Sequence, residues 1–252
     1  MSNRVKLEIC CGDLSSVCHA KKGGAQRIEL CCGLSEGGIT PSIGMIDAAV
    51  KAGIPEINVL IRPRQGDFLY TNDEINLMEN DIISAVKAGA TGIVTGVLTS
   101  AGNVDKEIMK RLISAAKNIR EDINITFHRA FDVSRDYQQS LKDIIMLGCD
   151  TLLTSGMARD AFGGMEIIRN LVKESEGRIT VMAGGGINPD NLKAIIDYTG
   201  VSAIHSTARK WLESKMTFRR NDVSMSINEK DESGFLSTDA SIVSNLLQII
   251  EK

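Results

Sequence analysis

The chain has 252 residues, 43% apolar and 24% charged, enough for a sizeable buried core and too apolar for a disordered segment. Its 29 basic and 32 acidic residues leave a net charge of −3, which offers no footprint for nucleic acid or an anionic membrane surface. There is no apolar run of about 18 residues and no leader-like segment after Met1, so a soluble cytoplasmic protein is expected.

In chain order, residues 5–10 alternate in character and read as a strand, with a helix expected over 13–22 and a stop at Gly23-Gly24. Residues 26–31 form the second strand. A glycine-rich loop through Gly37-Gly38 then leads to a helix over 42–52. Strand three covers 56–61, its loop carries Arg62 and Arg64, and the apolar period of Ile75, Met78, Ile82, Ile83 and Val86 predicts a helix over 73–88. Strands follow at 92–97, 123–127, 151–154, 179–183 and 201–205, with helices at 105–118, 136–147, 165–173 and after Asn188-Pro189.

Strand ends therefore recur about every 28 residues. Eight strands alternating with eight helices predict an α/β fold, a (β/α)8 or TIM barrel, as a single domain over 1–252. Residues 207–237 are polar and read as an irregular insertion, longer than an ordinary loop, before a final helix over 238–251.

Glu8-Ile9-Cys10-Cys11-Gly12 recurs as Glu29-Leu30-Cys31-Cys32-Gly33. Strand side chains alternate with period two, so Glu8 shares a face with Cys10, and Glu29 with Cys31. Leu7, Ile9, Ile28 and Leu30 take the opposite face, toward the helices. Two carboxylates and two thiols then point into the barrel from neighbouring strands, and buried charge calls for a cation partner, for which Arg62, or Arg64, is available. His128, after the strand end in Thr-Phe-His-Arg-Ala-Phe-Asp (126–132), and His205 have the same inward parity. Glu8, Glu29, Arg62, His128 and His205 thus form a ring at the C-terminal mouth, where barrels of this type keep their chemistry. The competing reading is a buried ionic network that only holds the barrel shut.

Gly184-Gly185-Gly186 ends strand seven, and glycines there let backbone N–H groups approach an anion, with Ser206 and Arg209 as partners from the end of strand eight. Ser155-Gly156 adds a further donor. The six cysteines, in two vicinal pairs plus Cys18 and Cys149 and without a CxxC spacing, do not make a disulfide framework.

The blocks EICCG, RIELCCGLSEGGITPS, IRPRQGDFLYTNDEI, TFHRAFD, LTSG, VMAGGGI and HSTAR resemble the CutC family from Val5 to Arg209. That resemblance implies a cytosolic, often self-associated (β/α)8 barrel with a part in copper homeostasis. It also implies Cu(I) as ligand and Cys10 and Cys31 as the metal candidates, the extra thiols Cys11 and Cys32 departing from the usual pattern. Cu(I) is soft and takes two or three thiolates, and neighbouring strands about 4.8 Å apart bring Cys10 and Cys31 within reach of one ion. The Glu, Arg and His ring is hard and suits a small polar or phosphorylated metabolite, or a divalent metal such as Mg²⁺ or Mn²⁺. Two functions follow: a Cu(I)-binding homeostasis protein, or a barrel enzyme in which His128 or Glu29 is the acid/base and Arg62, Arg209 and the Gly184–Gly186 loop hold an anionic substrate.

Overall fold

The structure is a computed structural model that describes residues 5–220, 223 and 233–251. Eight parallel strands close into a barrel in sequence order: β1 (Lys6–Cys11), β2 (Arg27–Leu30), β3 (Glu56–Leu60), β4 (Gly92–Thr95), β5 (Asn124–Phe127), β6 (Thr151–Thr154), β7 (Thr180–Gly184) and β8 (Ala203–Ser206). Seven helices alternate with them: α1 (Leu14–Lys22), α2 (Ile43–Ala52), α3 (Asn72–Lys87), α4 (Lys106–Lys117), α5 (Tyr137–Met146), α6 (Met165–Ser175) and α7 (Leu192–Thr199). The last helix, α8 (Ala240–Ile250), packs against α7, α1 and β1 and so completes the outer ring.

Polar residues just ahead of the apolar runs set the helix starts. Asp13, Ser42, Asp105, Asp136 and Asp239 each accept a hydrogen bond from a first-turn N–H, and Thr71 with Glu74 forms a capping box. Each cap stabilises its helix by about 1 kcal/mol. The outward strand residues Leu7, Ile9, Ile28, Leu30, Ile57 and Val59 pack under the helices in one continuous aliphatic core. Full burial of each such side chain contributes roughly 1.5–3 kcal/mol. Inside the barrel lie two small apolar clusters, Cys10, Cys31, Leu60 and Val94 on one side and Leu153, Met182 and Ala203 on the other.

On the inner face of β4, Val94 stands between two glycines, Gly92 and Gly96. A Cβ on Gly92 would stand 2.1 Å from Asn58 Oδ1, and one on Gly96, just past the strand, 2.6 Å from His128 Nδ1. Both glycines thus leave room for polar groups leaning in from β3 and β5.

The insertion differs from expectation. Residues 207–237 are not irregular throughout, because β9 (Arg209–Glu213) and β10 (Gly234–Thr238) pair antiparallel. Ser237 and Thr238 bond to Ser16 of α1, and His19 Nδ1 meets the Thr238 carbonyl at 2.9 Å. Residues 221–222 and 224–232 of the expected insertion lie outside the described residues.

Candidate functional site

Parallel register fixes the levels inside the barrel. Glu8 is opposite Arg27 on one side and His205 on the other, while one step higher Cys10 is opposite Glu29, which in turn faces Asn58. The interior therefore has a floor built around Glu8 and a mouth above it.

Glu8 is fully buried and held by three favourable partners, with the Glu29 carboxyl as an opposing charge. Arg27 Nε lies 3.1 Å from Oε2, Asn58 donates to Oε2 at 2.7 Å, and His205 Nδ1 donates to Oε1 at 2.8 Å. Burial alone would raise its pKa, but the His205 hydrogen bond and the Arg27 charge outweigh that and hold it below the ordinary carboxylate value. Burial also opposes a charge on His205, yet Glu29, Cys10 and Glu8 together keep its pKa well above the usual imidazole value. With Nδ1–H given to Glu8, the other ring nitrogen is left for the mouth.

Above the floor is a cavity of about 240 Å³, lined among others by Cys10, Glu29, Arg62, His128 and His205. Cys10 Sγ lies 3.6 Å from Cys31 Sγ and 3.6 Å from Glu29 Oε1. The hydrogen bond to Cys31, with burial, pushes the Cys10 thiol well above its ordinary pKa. Burial raises Glu29 to about 7, His205 opposing and Glu8 reinforcing the shift. Cys10, Glu29 and His205 bring one ligand atom each within 4.8 Å of one another.

His128 is buried, with Phe68 5.0 Å away from its ring centre to ring centre. Burial, aided by the Arg62 charge, lowers its pKa to about 3. The ring is therefore neutral, and because Nδ1 accepts from the Ala130 N–H at 3.2 Å, the proton resides on Nε2. Three buried polar atoms around the cavity have no partner among the described residues: Glu29 Oε2, Arg62 Nε and His128 Nε2. Native proteins leave few such atoms, and each asks for an explanation.

The ring expected from parity is thus split between two levels. Glu29, Arg62, His128 and His205 surround one cavity, whereas Glu8 is absent from its wall and lies beneath. Arg62 is not the cation for the carboxylates. Its Nη1 and Nη2 donate to the carbonyls of Glu36, Gly38 and Gly66, and its guanidinium lies 5.1 Å over the Phe68 ring. Arg64 is outside the site, braced by Glu74, Asp67 and the Leu69 carbonyl. Arg27 takes the role assigned to Arg62. It shares inward parity with Glu29, so the alternation Arg27-Ile28-Glu29 already carried the signal.

Of the residues expected to hold an anion, Gly185, Gly186, Ser206 and Arg209 reach the cavity, and Gly184 does not, being packed against Leu153 and His205. Ser206 Oγ donates to the Ile187 carbonyl at 2.7 Å and accepts from the Ala208 N–H, so it braces the loop. Ser155 braces as well, donating to the Ala158 carbonyl and receiving Arg129 Nη2 at 2.8 Å. Asp132 ties this corner together by accepting from Arg129 Nε and from the N–H groups of Ser155 and Met157. The vicinal cysteines separate cleanly. Cys10 and Cys31 face the interior, Cys11 joins the outer core, and Cys32 donates to the Thr40 carbonyl.

A closed eight-stranded (β/α)8 barrel with a cavity at the C-terminal strand ends is a TIM barrel with its opening on the face where barrels of this type keep their sites. The chain belongs to the CutC family, whose model matches residues 5–210. It is 42% identical over 227 residues to a CutC family protein of Vibrio vulnificus (strain CMCP6), covering 90% of each chain. The human copper homeostasis protein cutC homolog is 41% identical over 224 residues, 89% of this chain and 81% of its own length. A crystal structure of CutC from Streptococcus agalactiae superposes with a TM-score of 0.75 at 34% identity, covering 81% of this chain and 98% of that one. No helix among the described residues is long and apolar enough to cross a membrane.

Proposed function

We propose that this CutC family member serves copper homeostasis by holding Cu(I) between Cys10 and Cys31 in the barrel mouth. The observation that carries the reading is the 3.6 Å separation of the two Sγ atoms, on neighbouring strands and beside a cavity. A soft monovalent ion prefers thiolates, and two interior thiols that face each other supply them. His205, oriented through Nδ1 by Glu8 and held protonated, offers the ion no lone pair in that state, so the two thiolates are the ligands of this reading. Cu(I) displaces one proton from each thiol: Glu29, to which Cys10 donates, is placed to accept one, and the other is released to solvent. Glu29 is a hard ligand and its part in this reading is proton transfer, not coordination. All six cysteines are free thiols, and a reducing cytosol is the proposed location.

The test is competition for Cu(I) against a chromogenic chelator under anaerobic conditions. Cys10→Ser/Cys31→Ser is expected to lose affinity by at least a hundredfold, while Cys11→Ser/Cys32→Ser and Cys149→Ser compete as wild type does. Because both thiols must lose their protons, wild-type affinity is expected to rise with pH. Equal affinity in wild type and the Cys10/Cys31 variant would remove the thiol site.

A further inference from the structure

The thiols occupy one side of the mouth and leave most of it unexplained. A single ion does not fill a cavity of about 240 Å³. Nor does it satisfy Arg62 Nε and His128 Nε2, two buried N–H donors that repel a cation. The balance of charge is also unusual for a chain with a net charge of −3. Arg62, Arg129 and Arg209 all line the cavity, and Glu29 is its one lining carboxylate among the described residues. Arg129 is neutralised by Asp132, but Arg62 and Arg209 make no ion pair among the described residues. Arginines left unpaired in a concave site focus a positive potential that draws in anions.

We propose that the upper mouth binds a small organic anion that carries, besides its acidic head, a hydroxyl or carbonyl oxygen. The head, a phosphate ester or a carboxylate, rests against Arg209 and Arg129, where the loop after β7 has no side chains in the way. A Cβ on Gly185 would meet Arg129 Nη1 and Ser155 Cβ, each at 3.4 Å, and both Gly185 and Gly186 have the positive φ that favours glycine. Loops after the seventh and eighth strands hold acidic heads in many barrels. The deeper oxygen accepts from His128 Nε2–H and Arg62 Nε–H, and a neighbouring hydroxyl donates to Glu29 Oε2. That arrangement satisfies the three orphaned atoms with one ligand. It uses no thiol and so stands apart from the Cu(I) reading.

Isothermal titration of the metal-free full chain tests it, with inorganic phosphate, glycerol 3-phosphate and malate as probes and glycerol as the uncharged control. The expected result is saturable binding of glycerol 3-phosphate or malate, at least tenfold tighter than inorganic phosphate, with no binding of glycerol. The preferred probe identifies the head as phosphate or carboxylate. Arg209→Ala should weaken that binding at least tenfold without lowering the unfolding temperature, since Arg209 has no acidic partner among the described residues. Cys10→Ser/Cys31→Ser should bind the anion as wild type does, so failure of the copper reading leaves this one standing. Absence of organic-anion binding in the wild type, or equal binding by wild type and Arg209→Ala, overturns the proposal.

Discussion

Glu8 and Glu29 stand on neighbouring strands with the same inward parity, and burial pushes both carboxyls toward neutrality. At the floor, Arg27, Asn58 and His205 surround Glu8 and return more than burial takes. At the mouth, Glu29 meets a thiol on one oxygen and nothing on the other, so its pKa rises to about 7. His128 and Arg62 share that condition, each with one nitrogen unsatisfied. The floor thus keeps its carboxylate ionised through an ion pair and two hydrogen bonds, with Arg27 Nε alone short of hydrogen-bond geometry among its described groups, whereas three polar atoms around the mouth keep unspent hydrogen-bonding capacity.

Removing the centre of the floor has the largest expected effect. Glu8→Ala strands Arg27 and the raised-pKa His205 in a low-dielectric interior. It is expected to cost about 3–5 kcal/mol in urea-induced unfolding, the range for breaking a buried ion pair. A loss under about 1 kcal/mol, no more than a surface ion pair, would mean that the floor is not structural.

The mouth should respond with the opposite sign. A carboxyl raised from 4.5 to about 7 in the folded protein destabilises it as pH climbs through that window. Glu29→Gln removes the penalty and should stabilise metal-free protein by up to about 3 kcal/mol at pH 8, at roughly 1.4 kcal/mol per pH unit. The gain should fade as pH is lowered toward 4.5. An unchanged or lower stability at pH 8 would show that Glu29 is satisfied after all.

A smaller effect sharpens the picture for His128. Its folded pKa of about 3 lies below the ordinary 6.5, so its contribution is complete above pH 6.5 and is lost as pH falls toward 3. Between pH 7 and pH 5 that loss amounts to about 2 kcal/mol, and His128→Gln should abolish this share of the acid sensitivity. A variant whose stability falls as steeply as the wild type's over that range would contradict a neutral, buried ring.

Much of this arrangement is legible in the amino-acid sequence, because period-two alternation is a strong local signal. The barrel, the inward facing of Glu8, Cys10, Glu29 and Cys31, and the meeting of Glu29, Arg62, His128 and His205 all follow from strand parity plus strand order. What parity cannot supply is depth or partnership. It could not show that Glu8 lies one level below the cavity, because depth depends on the stagger between strands. Nor could it show that Arg62 turns back on three carbonyls of its own rim while Arg27 crosses to Glu8, since side-chain reach is decided by packing. The β9–β10 ribbon was hidden for a different reason. Its strands are short, half exposed and separated by a long polar stretch, which leaves little apolar periodicity to detect.

The two glycines that flank Val94 on the inner face of β4 bear on how this protein tolerates genetic change. Neither Gly92 nor Gly96 has a backbone conformation that requires glycine; what forbids a larger residue is the polar group already standing in the space. The smallest amino-acid replacement, alanine, would drive a methyl into Asn58 at one position and into the His128 ring at the other. A codon change of one base can thus unseat a floor residue or a mouth residue without touching either. The weak points of this polar interior are two positions that have no functional group of their own.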